Sequence, residues 1–277
     1  MKFDLHCHST ASDGTLAPAE LVRRAHQNGV DVLALTDHDG TGGLVEAGAE
    51  AANLPLRLLP GVEISVTWCA KTIHIVGLGI DAGELTLAAG LAGIRDSRAG
   101  RGKLIAVELA RLGIEGSFEA ALAHARNPQT LSRTHFARFL VEKGYARDVK
   151  TVFHRYLGEG KPGYVPHQWA SLSDAVTWIN AGGGVAVIAH PGRYGLSRER
   201  AEVLLREFRD CGGKGIEVLT ASHSAEQTRM FAELSRKMGL AASCGSDFHS
   251  PGESRVDLGA LPPLPSELQP IWELLAI

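Results

Sequence analysis

Nine side chains that can act as metal ligands lie at or near the ends of short apolar segments. The first two, His6 and His8, follow the segment 2–5, and the last two, Asp247 and His249, follow the segment 241–245. Imidazole and carboxylate together are typical of zinc, iron or manganese sites, whereas calcium and magnesium prefer oxygen ligands alone. The sequence therefore predicts one metal site, built from His6, His8, Asp13, His38, Glu63, His74, His190, Asp247 and His249.

The elements that carry these residues alternate between short apolar strands and amphipathic helices. Such alternation predicts βα units around a parallel sheet, and the carboxyl ends of the strands would bring the ligands to one rim. The predicted strands are 2–6, 31–36, 57–64, 72–78, 185–189, 215–219 and 241–245. The predicted helices beside them are 17–28, 42–52, 173–181, 198–210 and 225–238, with a terminal helix near 266–275.

A long segment between the fourth and fifth strands lacks a strand pattern. Its helical stretches are 98–112, 117–125, 134–143 and 148–157. We therefore predict an α/β fold in which residues 1–97 and 166–277 form a distorted barrel. Residues 98–165 would form an inserted all-helical subdomain that covers the metal rim, because it leaves the barrel on the carboxyl side of a strand.

The predicted insert is basic although the chain is weakly acidic. Residues 95–162 contain 13 Lys and Arg against 7 Asp and Glu, whereas the whole chain carries a net charge of −3. A basic segment beside a metal rim favours an anionic substrate. Four arginines of this segment are interpreted as solvated residues on helix faces: Arg101, Arg111, Arg138 and Arg147.

Cysteine spacing and hydropathy argue against a disulfide framework and a membrane span. The four cysteines lack CxxC spacing and are interpreted as reduced thiols. Strand alternation directs Cys7 away from the flanking histidines. No apolar run reaches the roughly 18 residues that suggest a transmembrane helix. Because a cleaved signal peptide would remove His6 and His8, we expect a cytoplasmic protein, and no obligate protein partner is expected.

The motifs and their order resemble the PHP (polymerase and histidinol phosphatase) family over nearly the whole chain. The matching motifs are His6-x-His8, Asp13, Thr36-Asp37-His38, Gly61-x-Glu63, His74, Ala189-His190-Pro191 and Ser246-Asp247-Phe248-His249. Within the insert, residues 132–135 and 156–162 are similar to one stand-alone bacterial branch. That branch includes 3′,5′-nucleoside bisphosphate phosphatases and enzymes that trim RNA 5′ ends.

The resemblance implies a distorted (β/α)7 barrel with a trinuclear metal centre. It implies three ligand groups: His6, His8, Glu63 and Asp247 for the first ion; Glu63, His74 and His190 for the second; and Asp13, His38 and His249 for the third. Manganese is the expected metal, with Fe²⁺ and Zn²⁺ as the other candidates. Because every ligand position is filled, a catalytic member of the family is expected.

The resemblance also implies hydrolysis of the 3′-phosphate of nucleoside 3′,5′-bisphosphates to the 5′-monophosphate. Short single-stranded RNA, degraded from its 5′ end, is a further expected substrate. The hypothesis for the mechanism is that a hydroxide bridging two metals attacks phosphorus in line. On this hypothesis Asp247 and His38 are required for turnover.

Substrate contacts are predicted both in the insert and on the rim. In the insert, Arg133 is the first candidate because a guanidinium fits a phosphate well. The other candidates in the insert are His135, Lys161 and Tyr164. On the rim the candidates are Ser222, His223 and Arg193, and His223 is also a candidate general acid.

Two other functions fit parts of the sequence. Histidinol phosphate phosphatase would use the same chemistry, but its cationic substrate would meet a basic insert. A polymerase-associated or regulatory metal-binding module without catalysis belongs to another class. The complete ligand set and the free-standing length argue against that module.

Overall fold

The computed structural model describes residues 1–275. Within them, seven strands form one sheet: β1 (Phe3–Asp4), β2 (Val32–Leu35), β3 (Arg57–Trp68), β4 (Lys71–Leu78), β5 (Val185–Ile188), β6 (Gly215–Thr220) and β7 (Ala241–Gly245). The α-helices are α1 (Pro18–Gln27), α2 (Leu44–Ala51), α3 (Leu85–Arg111), α4 (Ser117–His124), α5 (Arg133–Glu142), α6 (Val149–Val152), α7 (Leu172–Ala181), α8 (Arg198–Asp210) and α9 (Ala225–Met238). These bounds confirm the predicted strands and most of the predicted helices.

The sheet curves into a nearly closed barrel whose strands follow one another in chain order. Strand β1 is only two residues long, but the chain after it continues the contact with the last strand. Leu5 donates its backbone N–H to Cys244 at 3.0 Å, and His8 donates to Phe248 at 2.8 Å. The barrel therefore closes next to His6 and His8, which places both ligands at its rim.

The strand directions correct one expectation. Strand β4 runs antiparallel to both β3 and β5, whereas the other neighbouring strands are parallel. Only Cys69 and Ala70 connect β3 to β4, and both have positive φ, as the two central residues of a type I′ hairpin turn do. A two-residue connection cannot cross over to a parallel strand. His74 therefore lies within a strand rather than at its carboxyl end.

One end of the barrel is filled by apolar side chains. Val32, Leu59, Val76 and Val187 belong to one buried cluster, although they come from four different strands. Residues from around the barrel can share a cluster only in its interior. Ile271, from the C-terminal segment, completes this cluster. The metal-type side chains are therefore confined to the opposite end.

The predicted insert has its own buried core but shares a helix with the barrel. Ile105, Leu109, Phe136 and Leu140 pack together in a cluster separate from the barrel clusters. Helix α3 begins at Leu85, so the predicted boundary at residue 98 falls inside one 27-residue helix. Neither this helix nor any other described helix is long and apolar enough to cross a membrane.

Two helix predictions differ from the structure. The stretch 148–157 is a four-residue helix, α6, followed by a π-helical turn at Phe153–Leu157. The terminal helix near 266–275 is wrong, because the structure has only a 3₁₀ turn at Ile271–Leu274. Pro265 and Pro270 explain this difference, since proline lacks a backbone N–H and disfavours helical geometry in the residue before it.

The core of the insert allows a test of its stability. Phe136 is fully buried in this core, so Phe136→Ala is expected to cost about 3–5 kcal/mol through lost burial and a residual cavity. Leu104→Ala is the control, because Leu104 lies on α3 with 56% of its surface exposed. Urea unfolding followed by circular dichroism measures both variants. Equal losses in the two variants would contradict a packed core around Phe136.

Candidate metal centre and active site

A buried carboxylate, Glu63, is the centre of the rim. It lies on β3 with 0% of its surface exposed. Its Oε1 atom is 2.8 Å from His74 Nδ1, 2.8 Å from His190 Nε2 and 3.4 Å from His6 Nε2. Its Oε2 atom is 2.8 Å from His38 Nδ1 and 3.4 Å from His8 Nε2. Five imidazoles from different parts of the chain therefore converge on one carboxylate.

The other two acids of the set extend this cluster on one side. Asp247 Oδ1 is 3.3 Å from His8 Nε2 and 3.6 Å from His249 Nδ1. Asp13 Oδ1 is 3.4 Å from His249 Nε2 and 3.8 Å from His38 Nε2. All nine residues nominated from the sequence are thus brought together by the fold.

The side chains form overlapping groups that could each hold an ion. Four such groups have ligand atoms within 4.8 Å of one another: His8, Asp13, His38 and His249; His6, His190 and Asp247; His6, His8 and Glu63; His38, Glu63 and His74. His38 belongs to two groups, because one ring nitrogen approaches Glu63 and the other approaches Asp13. These four groups use the same nine residues as the three groups that the resemblance implies, but they assign the residues to ions differently.

The donor set fits divalent cations. Asp13 Oδ1, His8 Nδ1 and His190 Nδ1 are buried without a hydrogen-bond partner in the described residues, and Glu63 Oε2 has only its close approaches to His38 and His8. His6 Nε2 and His8 Nε2 are 3.1 Å apart. Burial without a partner is costly for a polar atom, and a shared cation would relieve that cost for the oxygens. The chemistry of the set, imidazole with carboxylate, is the chemistry of transition-metal sites.

The pKa values of the candidate ligands shift in both directions. Burial, followed by repulsion from His249 and His38, lowers the pKa of His8 to about 3. Burial also lowers the pKa of His190 to about 3. Burial alone would raise the pKa of Glu63, but the nearby imidazoles, His74 first among them, outweigh burial and hold that pKa well below its usual range. At three other rings the nearby carboxylates outweigh burial: the pKa of His38 is raised to about 9, and those of His6 and His249 are raised as well. Because a cation requires neutral imidazoles and ionised carboxylates, metal binding would displace protons from these three rings.

Glu217 is a functional residue that the sequence analysis missed. It lies on β6, a strand from which no metal ligand was predicted. Its Oε1 atom accepts a hydrogen bond from His6 Nδ1 at 2.7 Å, and Oε2 accepts one from the backbone N–H of His190 at 2.5 Å. A carboxylate behind a ligating histidine fixes the ring orientation and the tautomer. The available signal was an acid inside an otherwise apolar strand.

Two aspartates on either side of His38 support the loops of the rim. Asp37 accepts hydrogen bonds from the Ser9 N–H at 2.8 Å and from Ser12 Oγ at 2.6 Å. Asp39 is paired with buried Arg98 and accepts from the Ser65 N–H at 2.7 Å. Asp37 therefore fixes the loop that carries Asp13, and Asp39 ties the rim to helix α3.

Backbone strain is concentrated at the rim. Asp39, His190 and Asp247 have φ values of 49°, 26° and 53°, in a region that residues other than glycine rarely adopt. Such conformations persist where the surrounding structure holds them, and they are common at active sites. Tyr194 provides part of that support, because its hydroxyl donates to the Ala189 carbonyl at 2.6 Å and accepts from the His74 N–H at 2.9 Å.

Several predicted substrate contacts lie beside the metal cluster or under the insert. Arg193 is half exposed and donates to Asp247 Oδ2 at 2.5 Å. The Arg133 guanidinium lies 5.5 Å from the Phe153 ring centroid and 5.6 Å from that of Tyr164, and it donates to the Leu157 carbonyl at 3.2 Å. Lys161 is in the neighbouring turn, where its backbone N–H donates to the Gly158 carbonyl.

Two of the four arginines assigned to solvated faces are instead largely shielded from solvent, Arg101 buried and Arg138 half-buried. Arg101 is only 7% exposed; it donates to the Val165 carbonyl and packs over Trp169. Burial, followed by repulsion from Arg133 and Arg98, lowers the pKa of Arg101 to about 9. The Arg138 side chain is 11% exposed and pairs with Glu253. Helical spacing alone could not show that the insert folds back over these positions.

Of the three other candidates for substrate contact, two have side-chain nitrogens engaged within the fold. His135 is 1% exposed, and its Nδ1 accepts the Ser132 N–H, so it caps α5 from inside the insert. His223 donates from Nδ1 to the Val218 carbonyl and accepts the Gly192 N–H at Nε2. With both ring nitrogens bonded to the backbone, this geometry argues against the acid role for His223. Ser222 Oγ is buried without a partner in the described residues.

Comparisons with known proteins agree with this geometry. A PHP domain model matches residues 4–221. The chain is 52% identical to a Chromobacterium violaceum protein named 3′,5′-nucleoside bisphosphate phosphatase, over 98% of this chain and 95% of that protein. It is 44% identical to a Salmonella typhimurium protein named 5′-3′ exoribonuclease Rnm, over 98% of this chain and 92% of that protein.

A solved structure is also similar along nearly its whole length. It is described as an amidohydrolase from Chromobacterium violaceum with bound SO4 and no metal. It superposes on this structure with a TM-score of 0.96 at 51% identity, covering 99% of this chain and 95% of that chain. The fold, the nine converging side chains and these relatives lead to one conclusion: the chain belongs to the PHP family.

Proposed function

We propose that this protein is a metal-dependent phosphoesterase that removes the 3′-phosphate from nucleoside 3′,5′-bisphosphates and leaves the 5′-monophosphate. The observation that carries the proposal is a pair of arginines in the insert, Arg101 buried and Arg133 half-buried. Among the described residues, neither Arg101 nor Arg133 forms an ion pair with a carboxylate. Buried charges are normally paired, so this basic site calls for an anion from outside the protein.

The charge of the cluster supports the same substrate class. Three carboxylates and six neutral imidazoles would face divalent cations. Three such ions would carry more positive charge than these carboxylates neutralise, leaving an excess that attracts phosphate. A substrate with two phosphates could place one at the cluster and the other near Arg133.

The residues of the site have distinct proposed roles. His6, His8, Glu63 and Asp247 would hold one ion, Glu63, His74 and His190 a second, and Asp13, His38 and His249 a third. We favour manganese, with Fe²⁺ and Zn²⁺ as the other candidates. When bound, such ions supply Lewis acidity to a phosphate ester and a nucleophile derived from water at neutral pH. Arg193, now paired with Asp247, would donate to the phosphoryl oxygens of the substrate.

Short RNA with a 5′-phosphate is the second candidate substrate. Its first nucleotide carries a 5′-phosphate and a 3′ phosphate ester, as a nucleoside 3′,5′-bisphosphate does. In both substrates water would cleave the bond between phosphorus and the 3′ oxygen of that nucleotide, which leaves as the 5′-monophosphate. The RNA differs only in that the same phosphate is also esterified to the next nucleotide, which keeps it. The 44% identity to a protein named as an exoribonuclease favours this extension.

The direct test is hydrolysis of adenosine 3′,5′-bisphosphate with manganese, beside histidinol phosphate, a 5′-phosphorylated short RNA and a metal-stripped control. Phosphate is measured for the two phosphate monoesters and released mononucleotide for the RNA. We expect metal-dependent phosphate release from the bisphosphate with the 5′-monophosphate as product. Preference for histidinol phosphate would overturn the substrate assignment. Metal binding without hydrolysis of any of these substrates would instead favour the non-catalytic binding module.

The ligand role of Asp247 gives a second test. Asp247→Asn is expected to lower kcat by more than the roughly 10–100-fold typical for loss of an outer contact to a metal ligand. Asp210→Asn is the control, because the Asp210 side chain is 64% exposed. Steady-state kinetics and the metal content of each protein are measured together. Near-normal kcat with full metal content in Asp247→Asn, or in His38→Ala, would contradict the proposed roles.

The role of Arg133 gives a third test. Removing a charged hydrogen bond to phosphate is expected to cost about 1.5–3 kcal/mol, or about 10–150-fold in kcat/KM. Arg133→Met should therefore reduce the preference for adenosine 3′,5′-bisphosphate over adenosine 3′-monophosphate by that factor. Arg155→Met is the control, an exposed arginine of the same insert. An unchanged preference in Arg133→Met would exclude Arg133 as the contact for the second phosphate.

A further inference from the structure

The loop that carries Asp13 is bonded directly to the insert. Ser132, the N-cap of α5, donates from Oγ to Asp13 Oδ2 at 2.9 Å. The same Oγ accepts the Thr134 N–H at 3.1 Å. A hydroxyl has one proton to donate and two lone pairs, so both bonds can form together. Ser132 thus caps the helix while it fixes one carboxylate oxygen of Asp13 and leaves the other facing the histidines.

The neighbouring residues reinforce this contact from both sides. From the insert, Thr130 Oγ1 donates to the Ala11 carbonyl at 3.1 Å. From the barrel, Asp37 accepts hydrogen bonds from Ser9 and Ser12. The orientation of the Asp13 carboxylate is therefore set between the barrel and the insert.

Helix α5 also reaches the other end of the same ligand group. Arg138 donates from Nε and Nη2 to the two carboxylate oxygens of Glu253, each at 2.8 Å. Glu253 lies in the turn that follows His249, and the next residue, Ser254, accepts the His249 N–H at its Oγ at 2.8 Å. One helix of the insert is thus bonded to the segments that carry Asp13 and His249.

We propose that α5 is a clamp for the cation group Asp13, His38 and His249, and that Ser132 and Arg138 are its positioning residues. The other groups around Glu63 are built on the barrel, and within residues 1–275 they lack a comparable direct bond to α5. Binding of a cation to the clamped group and docking of the insert would then favour each other, because such coupling is reciprocal. This inference rests on the metal centre of the proposed function but not on the identity of the substrate.

The test measures metal stoichiometry, not activity. Full-length protein is equilibrated with a series of free Mn²⁺ concentrations, and bound manganese is counted by mass spectrometry. Ser132→Ala is expected to weaken one class of bound ion by about 10–100-fold, the usual effect of losing an outer contact to a ligand, and to leave the remaining ions unchanged. Ser132→Thr, which keeps the hydroxyl, is expected to restore binding.

Ser171→Ala is the matched control. Ser171 also caps a helix, α7, and its Oγ accepts the Asp174 N–H at 3.0 Å, but that bond involves no residue of the metal cluster. This variant loses a cap and is expected to keep the wild-type isotherm. If Ser132→Ala kept that isotherm, or if both variants lost an ion equally, the clamp would be excluded.

A charge exchange tests the second contact of the clamp. Arg138→Glu is expected to weaken the same class of ion as Ser132→Ala, and the double variant Arg138→Glu with Glu253→Arg is expected to recover it. Weakening without recovery would mean that Arg138 does not act through Glu253. If the wild-type protein bound no manganese, the proposed function would fail with the clamp, whereas normal binding by both the wild type and Ser132→Ala would remove the clamp alone.

Discussion

The rest of the structure depends on a single buried carboxylate that is surrounded by five histidine side chains. Glu63 is excluded from solvent and lies within 3.4 Å of nitrogen atoms from five histidines. Imidazoles packed this closely repel one another when protonated, and burial opposes their charge as well. Burial keeps the His8 and His190 rings neutral, whereas the nearby carboxylates outweigh burial and raise the pKa values of His6, His38 and His249. A bound cation would displace the protons of these three rings, and buried charges this crowded are a poor source of folding stability.

Stability must consequently come from elsewhere in the barrel. The apolar cluster at the opposite end draws on residues from strands around the barrel and on Ile271. Between this cluster and the rim, Asp37, Asp39 and Glu217 hold loops and rings in place through directed hydrogen bonds. The apolar end of the barrel thus stabilises the fold, whereas the rim at the other end carries the free-energy cost of burying charged groups.

Features that depend on neighbouring residues in the sequence could be predicted, whereas features that depend on packing between distant segments could not. The convergence of nine metal-type side chains could be predicted because residue type and position near a strand mark them. The reversal of β4 was missed because Cys69 and Ala70 lack the Gly or Asn usual in such a turn. The burial of Arg101 was missed because it depends on the insert folding back onto Val165 and Trp169. Glu217 was overlooked, although a lone acid in an apolar strand is a visible sign.

Helix α3 has a consequence for how this architecture can be recombined. It runs without interruption from the layer around the barrel into the core of the insert. A continuous helix of this length, about 40 Å, transmits the position of one end to the other. The insert is therefore not a transplantable module with flexible joints. A chimera that exchanges it between relatives must take α3 from Leu85 onward, or the new subdomain will be set at the wrong angle above the rim.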